Sequence, residues 1–305
     1  MKLSIVSPVY KAEFLIDELI KRLIINLEKI TPDFEIILVD DASPDNSWDK
    51  ILEHCIIDKR IKGLKLSRNF GQHYAIAAGL DIVSGDWIVV MDCDLQDRPE
   101  EILNLLNKGL EGFDVVLASR NSRKDTFFKR IFSTLFYKIL SYLTGITHDA
   151  TVANFGIYNR KVIDTICSLK ENIRYFPTLI GWVGFKQTKI EVEHANRFQG
   201  KTSYNFTKLM KLSIDVILVN SEKPIRLIIK LGFTISLFSF GFAIYTLIEH
   251  LSGNIKVIGY ASLIVSIWFL SGVILMTLGI LGLYIGKTFE GVKNRPIYIV
   301  SDKVN

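Results

Sequence analysis

The chain has 305 residues, 49% of them hydrophobic and 23% charged. This suits a globular domain with an appendage and excludes both a disordered chain and a many-span transporter. A mean hydropathy of +0.27 is high for a soluble protein, so apolar residues must be concentrated somewhere, and they are concentrated near the C-terminus. The net charge of +5 is mild, and the basic residues lie beside the apolar part rather than in long runs. That distribution suits anionic lipid and argues against nucleic acid.

The start of the chain, Met1 to Pro8, has only a short apolar run and reads as a strand, not a signal peptide. Cys55, Cys93 and Cys167 match no zinc or disulfide spacing and read as reduced core residues on the cytosolic side. Short runs rich in Val, Ile and Leu follow at Leu3–Val6, Glu35–Val39, Gly63–Leu66, Trp87–Met91 and Val115–Ala118. Helical patterns at Glu13–Glu28, Ser47–His54, Tyr74–Val83 and Pro99–Glu111 separate them. The alternation predicts an α/β domain over residues 1–205, with a mostly parallel twisted sheet covered on both faces. Ligands of such sheets bind beyond the carboxyl ends of the strands. Polar clusters stand there at Pro8–Tyr10, Asp40–Ser43, Ser67–Asn69 and Asp92–Asp94.

Residues 127–143 place aromatic and aliphatic side chains at helical spacing with Lys129, Arg130 and Lys138 among them. Two readings fit: a surface helix packed on the core, or an amphipathic helix lying in lipid headgroups. A similar juxtamembrane stretch covers 206–226. Two long apolar segments, Leu227–Ile248 and Val257–Gly286, each exceed the roughly 20 residues needed to cross a bilayer. They predict a two-helix transmembrane hairpin. Lys223 and Arg226 precede the first span, Lys230 stands close to its start, and Lys287, Lys293 and Arg295 follow the second, which puts the domain and the 287–305 tail on the cytoplasmic side.

Asp92 and Asp94 lie two apart after a strand, so on extended backbone both carboxylates would reach one cation. Such hard oxygen ligands suit Mg²⁺ or Mn²⁺ bridging a pyrophosphate, and Gln96 could add an amide oxygen.

In order along the chain come Ser7–Tyr10, Val39–Asp45, Ser67–Gly71, Met91–Asp97 and Ala118–Arg120, then Trp182–Lys186, Arg197–Tyr204, Gly282–Gly286 and Arg295–Tyr298. Together they resemble glycosyltransferase family 2, and within it the polyprenyl-phosphate glycosyltransferases, over essentially the full chain. The resemblance implies a GT-A nucleotide-sugar domain in a multi-pass enzyme of the bacterial inner membrane, with both termini cytoplasmic. It implies that Pro8, Tyr10, Asp40, Asp41, Arg68 and Asp92 hold the nucleotide sugar, a UDP-hexose being favoured, that Asp92, Asp94 and Gln96 hold the metal, and that Asp94 is catalytic. It places Arg120, Arg130, Arg197 and Lys201 against the acceptor phosphate. Asp149 becomes a base or a group that positions the acceptor, and a homo-oligomer, for example a tetramer, is a further implication.

The reaction implied is inverting transfer of one sugar to undecaprenyl phosphate. Its rivals are a glycan or glycolipid hydroxyl acceptor and a non-catalytic sugar-binding membrane protein. The chain departs from the family pattern at Lys11, where asparagine is usual, at Arg98, where a small residue or proline is frequent, and at Gly156, where many relatives have arginine. The last departure bears on the donor.

Overall fold

The computed structural model describes residues 1–120, 142, 152–169, 176–193, 221, 223–252, 259–293 and 295–305. Of the expected interface helices, 127–143 (apart from Tyr142) and 206–220 lie outside the described residues, as do Asp149, Arg130, Arg197 and Lys201. The chain divides into two compact units. One comprises Met1–Tyr142, Ile146–Lys208 and Arg295–Asn305, and the other Leu143–Gly145 and Leu209–Asn294.

The first unit is built on β1 (Leu3–Val9), β2 (Phe34–Asp40), β3 (Ile61–Leu66), β4 (Trp87–Val90), β5 (Val115–Arg120), β6 (Val152–Asn159), β7 (Gln187–Val192) and β8 (Val300–Val304). Its helices are α1 (Ile16–Leu27), α2 (Ser47–Ile57), α3 (Gln72–Leu80), α4 (Ile102–Leu110), α5 (Arg160–Ser168) and α6 (Phe176–Val183). The eight strands form one sheet in the order β7-β5-β6-β4-β1-β2-β3-β8. β1, β2, β3 and β4 pair in parallel and β7 pairs in parallel with β5, whereas β6 and β8 run antiparallel to their neighbours. The expected α/β architecture with a mostly parallel sheet is therefore present, and each of the five expected strands coincides with an observed one, with ends that differ by up to three residues.

Every residue of β1 and β2 is buried, the pattern of strands covered on both faces. Helix α1 buries Ile16, Leu19, Ile20, Leu23 and Leu27 at the three-four spacing of an amphipathic helix. These join a core with α2, α4 and one face of the sheet. Helix α3 packs into the opposite core beside α5 and α6 and is buried from Ala75 to Leu80. It approaches the sheet so closely that a Cβ on Gly79 would stand 2.5 Å from a Val6 methyl.

The expected 287–305 tail is corrected in part. Helical structure continues through Val292, because nothing before Pro296 forces a stop. Residues Val300–Val304 then add β8 to the sheet beside β3. A five-residue run of mixed Val, Ser, Asp and Lys carries no strand pattern of its own and is recruited by the unpaired edge of β3.

The second unit contains α7 (Lys223–Leu251) and α8 (Tyr260–Val292), of 29 and 33 residues. Helix α7 begins four residues earlier than expected, with Pro224 in its first turn, where a missing N–H costs nothing. Tyr284 Oη donates to the Ser221 carbonyl at 2.8 Å, which brings the last part of α8 beside the start of α7. Among the described residues one stretch, Phe269–Phe289, is long and apolar enough to cross a membrane, and none of it is buried. In α7, Phe233, Leu237, Phe238 and Phe242 are also well exposed.

Candidate active site

Because β4, β1, β2 and β3 are consecutive in the sheet, the loops that leave their carboxyl ends lie side by side. At about 4.8 Å per strand they span roughly 14 Å. Three non-glycine residues take left-handed backbone conformations in these loops: Lys11 after β1 (φ 56°), Ala42 after β2 (φ 52°) and Leu95 after β4 (φ 59°). Such conformations cost about a kilocalorie or more each and persist where the surroundings over-determine them, as at functional sites.

Hydrogen bonds tie the first two loops together. Lys11 N–H donates to Ser43 Oγ at 3.1 Å, Ala12 N–H to Ser47 Oγ at 3.1 Å, and Asn46 N–H to Glu13 Oε2 at 2.9 Å. Tyr10, between β1 and this seam, keeps an exposed ring, while Pro8 is buried in β1 opposite Val39.

Asp40 ends β2 and Asp41 follows it, both buried. Asp40 accepts the Ser43 N–H and so shapes the turn after β2. Asp41 accepts the Phe70 N–H at 2.7 Å on one oxygen and the Gly71 N–H at 2.8 Å on the other. Gly71 can present that N–H because its φ of 106° is open to glycine. Burial raises both carboxyl pKa values. The Ser43 bonds oppose the rise at Asp40, and the Phe70 and Gly71 bonds oppose it at Asp41. The loop Ser67–Gly71 is thereby latched at its far end, with Arg68 exposed and its guanidinium 4.0 Å over the Phe70 ring.

Asp92 and Asp94 do not sit on extended backbone: the chain turns at Cys93 and Asp94, and the positive φ of Leu95 completes the bend. The two acids therefore lie on a turn rather than on an alternating strand. Gln72 Nε2 donates to Asp92 Oδ1 at 2.6 Å, and the Gln96 N–H donates to Asp94 Oδ1 at 3.2 Å. Burial first, and then the charges of Asp92 and Asp94, push the Cys93 thiol up to about 12. Among the described residues no group of three or more His, Cys, Asp and Glu converges as a metal cage. Two carboxylates with an adjacent amide fit instead a hard divalent cation that takes its remaining ligands from phosphate and water.

Residues 4–167 match the family model described as Glycosyl transferase family 2. The chain belongs to glycosyl transferase family 2. It is an enzyme of the glycosyltransferase class, and its relatives extend the likeness beyond the family's core domain. YkcC of Bacillus subtilis (strain 168), named as an uncharacterized glycosyltransferase, is 41% identical over 97% of this chain and 92% of its own length. The undecaprenyl-phosphate 4-deoxy-4-formamido-L-arabinose transferase of Proteus mirabilis (strain HI4320) is 33% identical over 99% of this chain and 94% of its own. Among solved structures, mannosyl-3-phosphoglycerate synthase from Rubrobacter xylanophilus superposes with a TM-score of 0.50 at 18% identity, over 71% of this chain and 72% of that one. That likeness concerns the fold.

The departures from the family pattern acquire physical reasons. Lys11 occupies a left-handed position of the kind asparagine tolerates better. Arg98 pairs with Glu193 at the end of β7 and lies 3.8 Å from Glu100, so its charge is engaged in that acidic group. Gly156, opposite Val90 and Leu117 in the sheet, is overhung by Tyr158: a Cβ there would stand 2.8 Å from the Tyr158 hydroxyl. The Tyr158 ring is buried edge-on against Phe176, with centroids 5.2 Å apart. An arginine at 156 and this tyrosine placement are mutually exclusive.

Arg120, expected just beyond the strand, is instead the last residue of β5, opposite Val192 of β7. Two residues went unselected in the sequence reading. Gln72 was missed because a polar residue opening a helix gives no sign of a partner 20 positions away. Glu35 sits at the amino end of β2, away from the site, and is a structural anchor.

Proposed function

We propose that this glycosyltransferase moves a single sugar from a nucleotide-sugar donor, a UDP-hexose being favoured, to a polyprenyl phosphate at the cytoplasmic face of a bacterial inner membrane. The observation that carries the reading is the reach of the similarity. Identity to an undecaprenyl-phosphate transferase runs over 99% of the chain, so it includes the apolar helices as well as the sugar domain.

The membrane placement draws support from the strand order. β8 follows α8 in sequence yet pairs with β3, so the segments flanking the helical unit belong to one folded unit. The number of crossings between them is then even. Phe269–Phe289 supplies one crossing, and α7, uncharged from Leu231 to Ile248, supplies the other. Lys223, Arg226, Lys287 and Lys293 cluster by sequence at the ends of the helices brought together by Tyr284 and Ser221, which is the cytoplasmic end by the positive-inside rule.

In this reading Tyr10, Pro8, Asp40 and Asp41 bound the nucleoside pocket, and the Ser67–Gly71 loop presents Arg68 to the donor. Asp92, Asp94 and Gln96 hold Mg²⁺ or Mn²⁺, which when bound offsets negative charge on the donor pyrophosphate. Gln72 keeps one Asp92 oxygen occupied and so fixes the direction of the other. Arg120, Arg130, Arg197 and Lys201 meet the acceptor phosphate, for which guanidinium forks are suited. The acceptor oxygen attacks the anomeric carbon from the face opposite the departing nucleoside diphosphate, with inversion. A phosphate monoester with a second pKa of about 6 is already ionised at neutral pH, so Asp149 acts by positioning rather than by removing a proton.

The test is transfer of radiolabel from a panel of nucleotide sugars to undecaprenyl phosphate in detergent, read by extraction into organic solvent. Label that enters the organic phase and is lost with EDTA and in Asp94→Asn supports the reading. Label that appears only with a glycan or glycolipid hydroxyl acceptor refutes it.

A further inference from the structure

The donor loop Ser67–Gly71 is held at both ends. Asp41 accepts the Phe70 and Gly71 N–H groups at its far end. At its near end the Ser67 N–H donates to the Ile299 carbonyl at 2.9 Å, a bond contributed by the C-terminal segment. The same segment reaches past the loop: Tyr298 Oη donates to Asp81 Oδ2 at 2.5 Å, and Asp81 is the C-cap of α3. The first residue of α3 is Gln72, the partner of Asp92. Beyond Ile299, β8 runs antiparallel to β3 with a register shift between Lys65 and Leu66, immediately before the loop. Its far end is pinned separately, by Asn305 Nδ2 to the carbonyls of Cys55 and Ile61 at 2.8 Å.

We propose that the segment Tyr298–Ile299 is a positioning strap for the donor loop, with Tyr298 as the residue that sets it. The proposal rests on the nucleotide-sugar reading for what the loop binds, but not for whether the strap orders the loop. Without β8, β3 would be a bare sheet edge, and loops leaving such an edge open with little free energy. The two bonds at Ser67 and Asp81 bracket the loop and α3, leaving Arg68 and Asn69 to project from a fixed backbone. A strap that only stabilised the domain would have no reason to grip the residue where the loop begins and the end of the helix that follows it. The Asn305 end does the stabilising.

The experiment uses the full chain in detergent, compared as wild type, Tyr298→Phe and Asn305→Ala. Hydrogen–deuterium exchange is followed for the peptide covering residues 67–74, together with the affinity for UDP in the presence of Mn²⁺. In Tyr298→Phe, exchange in this peptide should quicken by about three- to tenfold, the weight of one hydrogen bond, while β1 and β2 stay protected. UDP should bind about fivefold more weakly, and donor KM should rise by the same factor with kcat unchanged. Asn305→Ala should lower the thermal midpoint without either change. Unaltered exchange at 67–74 in Tyr298→Phe, or identical loop responses in the two variants, overturns the proposal. If wild type binds no UDP, the donor reading fails, and the exchange comparison still decides whether the strap orders the loop.

Discussion

Glu35 offers a perturbation whose size follows from its surroundings. It is buried at the amino end of β2, where Ser4 Oγ donates to it at 2.5 Å, Ser84 donates from both N–H and Oγ, and Lys62 Nζ lies 2.7 Å away. Burial by itself raises the carboxyl pKa, but Lys62, Ser4 and Ser84 more than reverse that and bring it from 4.5 to about 2. That depression, from 4.5 to about 2, corresponds to about 3 kcal/mol of folding free energy at neutral pH. Because the folded pKa is the lower one, this stability is complete above 4.5 and disappears as pH falls through 2. Glu35→Gln removes the charge at every pH. The variant should therefore unfold on the order of 6–12 °C below wild type at pH 7, and the gap should shrink to less than half by about pH 3. Thermal unfolding followed by tryptophan fluorescence checks this, since Trp87 opens β4 beside Leu3 at the same end of the sheet. A gap of the same size at pH 6 and pH 3.5, or no gap at pH 7, would refute the reasoning.

Gln72→Ala removes a hydrogen bond that orients the Asp92 carboxylate, so half-maximal activity should require about tenfold more Mn²⁺, with Mn²⁺ binding measured independently by calorimetry. Lys11→Asn relieves a left-handed strain and should raise stability by about 0.5–1 kcal/mol in denaturant titrations. Gly156→Ala drives a methyl against the Tyr158 hydroxyl and should cost about 1–3 kcal/mol. Part of that loss should return in the Gly156→Ala, Tyr158→Phe pair, which removes the oxygen that is struck, and a double-mutant cycle reads the difference.

What the sequence determined by itself was local and periodic. Alternating Val, Ile and Leu runs and amphipathic helices specify the strands β1 to β5 and the helices between them, because side-chain periodicity is set by backbone geometry. Polar residues at four strand ends followed from the same pattern, and a parallel sheet brings such ends to one edge. The apolar segments announced α7 and α8 by length alone. β6 and β7 carry pairings that depend on a distant partner, and β8 is a strand because β3 has an edge to cover, not because Val300–Val304 favours one. Long-range contacts decided the rest. The grip of Gln72 on Asp92 and the latch from Asp41 to Gly71 join residues whose meeting is fixed by packing, and the Tyr158 ring over Gly156 is held on its own strand by Phe176 packed against it. A hydrogen bond between residues 20 or 30 positions apart leaves no periodic trace in the chain, since its geometry exists only after the sheet has set their distance.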